Sequence, residues 1–134
     1  MKKILFATLF SLIATSVYAD RPIYYPFDVK LGGQIATPTS GVVAVIAEPI
    51  SPDAELEVMV PEVKGPVFVN FFISDDKGNV AQENTQAAEV MMITTGPKAL
   101  INQTMSKNPL VSGKTYLGNI VANSNTSRIV FKVK

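Results

Sequence analysis

Apolar side chains return at every second position in this chain, and the runs that carry them are short. Ile23, Tyr25, Phe27, Val29 and Leu31 form one such set, with Tyr24, Pro26, Asp28 and Lys30 between them. Leu56, Val58 and Val60 alternate with Glu55, Glu57 and Met59, and Val67, Val69, Phe71 and Ile73 run with Phe68 and Phe72 on the opposite side. A period of two puts neighbouring side chains on opposite faces of an extended strand, whereas an amphipathic helix needs apolar residues three or four apart. No segment after the first twenty residues shows the helical spacing.

Chain breakers separate these runs. Gly32-Gly33, Pro38 to Gly41, Pro49 with Pro52 and Asp53, Pro61 to Pro66, Asp75 to Asn79, Gly96-Pro97, Asn108-Pro109 with Gly113, and Asn123 to Asn125 all carry turn chemistry. Between them, Gly41 to Ala47 is continuously apolar, as in a strand covered on both faces. Val90 to Thr95, Ala99 to Ser106, Thr115 to Ala122 and Ser127 to Val133 complete the series. Asp75 to Asn79 is expected to close a hairpin whose return strand begins at Val80 to Gln82. Gln82 to Ala88 is polar and suits a loop or a single helical turn. Pro22 and Pro26 donate no backbone N–H, which puts the first half of their segment at a sheet edge or outside the sheet. About seven to nine short strands at this spacing predict an all-β, single antiparallel β-sandwich. No helical crossover is at hand to join parallel strands.

The first twenty residues read differently. Lys2 and Lys3 precede the apolar stretch Ile4 to Ala14, and Val17-Tyr18-Ala19 sets compact residues at −3 and −1 of a cut before Asp20. That order of charge, apolar core and small residues is a secretory signal. As a helix the stretch spans about 16 Å, too short to anchor in a hydrocarbon core of about 30 Å. The expected organisation is a cleaved signal peptide over 1–19 and one domain over 20–134, in a bacterial periplasm or at the cell surface. After cleavage no membrane span is expected.

Composition then narrows the chemistry. The chain has no His, no Cys and no Trp, which removes Ser-His-Asp and Cys-His catalysis and the usual zinc ligand sets. Without cysteine, stability after export rests on packing alone. Of the 12 basic residues, Lys2 and Lys3 lie in the signal, and those that remain number one fewer than the 11 acidic ones. So balanced a domain has no field to draw nucleic acid. No phosphate-binding glycine loop precedes a helix. An enzyme is not expected, nor a cofactor or a metal.

Three clusters bear on that expectation. Glu48, Asp53, Glu55, Glu57 and Glu62 crowd into fifteen positions, and Glu55 and Glu57 share a strand face about 7 Å apart. A calcium site or a glycosidase pair would use such carboxylates, but an exposed strand also carries them to discourage edge pairing. Counted from Asp75 as position one, the twelfth residue is Gln86 rather than Glu, so the EF-hand pattern fails and the segment reads as a turn. Met59, Met91, Met92 and Met105 lack the His that a thioether copper site generally recruits, and methionine fills cores well.

The C-terminal segment carries a family likeness. Leu110-Val111-Ser112-Gly113-Lys114-Thr115-Tyr116 runs into Ile120 to Asn123 and then Arg128 to Val133. It resembles the closing hairpin of bacterial secreted immunoglobulin-like domains, in which a Leu-x-x-Gly-x-Tyr run enters the penultimate strand. The resemblance implies an immunoglobulin-like sandwich and a tyrosine, here Tyr116, whose hydroxyl bonds to upstream backbone. It implies no activity.

Two non-enzymatic readings follow. One is a periplasmic or envelope accessory domain that binds a protein partner. The alternative is a fimbrial or adhesin subunit that self-associates by donor-strand exchange, its residues Ile23, Tyr25, Phe27, Val29 and Leu31 filling a neighbour's groove. These five are the candidate interaction residues.

Overall fold

The computed structural model describes residues 21–84, 89–93, 97–101 and 110–134. The expected signal peptide, residues 102–109 and Gln86 lie outside the described residues. The strands are β1 (Asp28–Leu31), β2 (Gln34–Ile35), β3 (Thr37–Pro38), β4 (Ala44–Val45), β5 (Glu55–Met59), β6 (Val67–Ile73), β7 (Glu89–Ile93), β8 (Lys98–Leu100), β9 (Thr115–Ala122) and β10 (Asn125–Lys132). The one helical element among the described residues is a 3-10 turn at Gln82–Asn84. No described helix is long and apolar enough to cross a membrane.

The strands form two sheets. The smaller has the order β2-β1-β5-β8 and the larger β3-β4-β10-β9-β6-β7. Inward side chains from both meet in one core: Val29, Leu31, Leu56 and Val58 from the small sheet, Val67, Val69, Phe71, Ile120, Ile129 and Phe131 from the large one. The Phe71 and Phe131 rings meet edge to face at 5.6 Å, and Tyr116 stacks on Phe131 at 5.9 Å. The all-β, two-sheet architecture is as the spacing predicts.

Several boundaries differ from the expectation. The described residues hold ten strands, because the stretch from Gln34 to Val45 is cut into three two-residue pieces. The pairing is not wholly antiparallel: β4 runs parallel to β10, with Ala44 opposite Ile129 and Val45 opposite Val130. The contact continues past β4, since Ile46 N–H donates to the Val130 carbonyl at 3.0 Å and Ile50 N–H to that of Lys132 at 2.8 Å. A long apolar segment laid along the last strand needs no helix to reach it.

Val80 to Gln82 forms no return strand. The Asp75 carboxylate accepts the N–H groups of Lys77 and Asn79 at 2.8 and 2.9 Å and the Asn79 amide at 3.0 Å. Those bonds hold its carboxyl below the usual range and close a compact turn. Gly78 sits in it at φ 82°, where a Cβ would meet Val43 at 2.6 Å. This close approach packs Val80 and Phe72 against Val43, Leu117 and Val130, a second small core on the outside of the large sheet. Residues 43–46 are thus covered on both faces, which explains the unbroken apolar run there.

Candidate interaction face

The five candidate residues of the first segment are mostly used inside their own domain. Tyr25, Phe27, Val29 and Leu31 are buried, while Ile23 is 96% exposed. Only Asp28–Leu31 pairs as a strand, between β2 and β5; the part with Pro22 and Pro26 lies outside the sheet. The Tyr25 hydroxyl accepts the Val29 N–H at 2.8 Å and donates to the Ala36 carbonyl at 3.1 Å. Burial pushes its ionisation up to about 12. The Arg21 guanidinium lies 5.3 Å from the centre of that ring and pairs with the Asp28 carboxylate.

Further along, the segment seals an edge of β10. Arg128 N–H donates to the Tyr24 carbonyl at 2.9 Å, and the buried Ser127 hydroxyl donates to the Phe27 carbonyl at 2.7 Å. The Tyr24 hydroxyl spans to Thr39, accepting its N–H at 2.8 Å and donating to its carbonyl. Residues 24–27 and then β4 therefore line β10 on the side away from β9.

The acidic cluster is dispersed. Glu55 and Glu57 point outward from β5, and Glu57 stands in register between Lys30 of β1 and Lys98 of β8. Among the described residues no three acidic groups gather closely enough to hold a metal ion. Met59 is partly exposed at the rim of the small sheet, and Met91 and Met92 belong to β7. A groove of about 690 Å³ at one end is lined by Arg21, Asp28, Met59 and Asn123, among others. Its polar groups are already engaged: Arg21 with Asp28, and Asn123 with the Glu62 carbonyl and the Lys64 N–H, both at 2.7 Å.

The outer faces of the two sheets differ in charge. The small sheet shows Lys30, Glu57 and Lys98 in one row and sets its exposed Ile35, Met59 and Leu100 beside charged neighbours. Across the centre of the large sheet, β6, β9 and β10 present three rows: Phe68, Val121 and Thr126; Asn70, Asn119 and Arg128; Phe72, Leu117 and Val130. The third row lies under the second core. The first two are open: Phe68 is 43% exposed, and Val121, Asn70, Asn119 and Arg128 are half-buried. Eight of these nine residues are uncharged. A partly exposed aromatic beside an arginine, without lysine or acid, has the composition of interface cores rather than of ordinary surface.

The period-two pattern already placed Phe68 and Phe72 opposite the core. It could not show that Asn119 and Arg128 stand beside them, because that depends on strand neighbours. Comparison with protein-family models, with curated proteins and with solved structures finds no match to this chain.

Proposed function

We propose that this chain is an exported, non-enzymatic β-sandwich of immunoglobulin-like type that acts through protein–protein interaction, as a periplasmic or envelope accessory domain. The observation that carries the reading is the open, nearly uncharged outer face of the large sheet around Phe68, Val121 and Arg128. The small sheet instead intersperses its exposed apolar side chains with Lys, Glu and Asp.

The immunoglobulin-like part draws support from strand order. β1-β5-β8 opposite β10-β9-β6-β7 matches an A-B-E sheet facing a G-F-C sheet extended by C′. Tyr116, second residue of β9, accepts the Val111 N–H at 2.8 Å, the bond expected of a tyrosine corner. The usual cysteine pair and tryptophan are missing. Export rests on the Lys2 to Ala19 pattern.

A photo-crosslinking side chain placed at Phe68, at Val121 or at Glu57 in living cells tests this. Discrete adducts are expected from positions 68 and 121 and none from 57, with the exported chain starting at Asp20. No adduct at 68 or 121, or the same adducts from 57, would overturn the reading.

A further inference from the structure

We infer that the outer face of the large sheet seats a foreign protein surface presenting a carboxylate among apolar side chains, with the carboxylate on Arg128. This rests on the interaction reading of the same face and names the chemistry of the partner.

The argument starts from Arg128. Its backbone N–H is used by Tyr24, but the residue is half-buried and its guanidinium has no partner among the described residues. A guanidinium has five donors and cannot shed its charge, so partial loss of water leaves a demand for an anion. The nearest residues in register do not supply one. Asn119 stands opposite Arg128, and Asn70 opposite Asn119. Neither amide side chain has a hydrogen-bond partner among the described residues. The three form a polar row about 10 Å long across β6, β9 and β10.

The setting favours a carboxylate over other anions of protein surfaces. Arginine's planar fork matches two carboxylate oxygens, and the flanking amides can take its remaining lone pairs or adjacent peptide groups. Phe68 and Val121 on one side, once covered, and the second core over Phe72, Leu117 and Val130 on the other exclude water, and an ion pair strengthens in that environment. A bare carboxylate would leave Phe68 and Val121 wet, so the partner must bring apolar surface with it.

A second copy of this chain fits poorly. On its sheet surfaces the outward acids set opposite apolar side chains are Asp28, opposite Met59 and already paired with Arg21, and Glu55, opposite Leu100 and one row from the Lys30-Glu57-Lys98 row. Bringing Glu55 onto Arg128 would carry Lys98 and Lys30 to within about one row of the guanidinium.

The test titrates the isotope-labelled mature chain, residues 20–134, with N-acetyl-L-phenylalanine and separately with its uncharged methylamide, following backbone amide resonances. The acid is expected to shift Phe68, Asn70, Asn119, Val121 and Arg128 and to bind about tenfold or more tightly than the methylamide, as a charge-assisted pair would. Arg128→Gln, checked for an unchanged melting temperature, should bring the two probes level. Because wild type alone compares acid with methylamide, the test survives a variant that fails to fold. Equal binding of both probes at this face would overturn the carboxylate inference and leave the interaction reading standing. Shifts elsewhere, or none, would remove both. Concentration-dependent self-association that moves the same resonances would put a second copy there and overturn the assignment to a foreign partner.

Discussion

Tyr25 joins two segments that the sequence separates by a hairpin. Its ring lies under Arg21 and its hydroxyl ties Val29 to Ala36, so removing one oxygen leaves a buried N–H and a buried carbonyl short of a partner. Tyr25→Phe should cost about 1–3 kcal/mol. The residue also sets a pH response. Its folded ionisation lies near 12 against an ordinary value of 10.0, so between those values the folded state holds a proton that the unfolded state has lost. The stabilisation is complete below about pH 10 and is lost as pH rises towards 12. Denaturant melts from pH 8 to 12 should show wild type falling through that window and Tyr25→Phe falling less. Equal slopes would mean the hydroxyl is not buried as described. The alternation named this tyrosine as inward, but its partner Ala36 lay beyond two glycines and out of reach of any local pattern.

Among the elements, β5, β6, β9 and β10 were legible because each carries its own alternation. Thr115–Ala122 appears with the boundaries its breakers set. β6 carries apolar residues on both its sides and is paired along both edges, with β9 against one and β7 against the other. Phe71 is its largest fully buried side chain, edge-on to Phe131. Phe71→Ala should cost about 3–5 kcal/mol, seen as a lower denaturant midpoint at an unchanged slope. A variant that melts like wild type would put this face outside the core. Pairing was what remained hidden. Period two says which side chains share a face, but not which strand lies alongside or in which direction. The parallel contact of β4 with β10 and the row Asn70-Asn119-Arg128 both depend on such neighbours. The turn at Asp75 misled for a related reason. Its capping carboxylate and Gly78 are common to hairpins and to turns that fold back onto a sheet, and only the second core tells them apart.

For the whole molecule, the question is whether its first segment belongs to itself or to a neighbour. Tyr25, Phe27, Val29 and Leu31 fill the core, β1 covers an edge of β5, and residues 24–27 cover an edge of β10. Burying four such side chains contributes about 1.5–3 kcal/mol each, comparable to the whole stability of a domain, about 5–15 kcal/mol. Deleting Asp20 to Leu31 should therefore unfold the protein rather than open a clean groove. A donor-strand subunit would behave in the opposite way, because its own extension serves the next subunit and its body stays folded to receive one. Thermal melts of the intact and truncated chains, followed by titration of the truncated form with a peptide of residues 20–31, separate the two cases. Loss of a cooperative melt on truncation is the expected result. A truncated domain that melts cooperatively and binds the peptide would instead favour the fimbrial reading, with Ile23, already exposed, as the first residue to engage a neighbour.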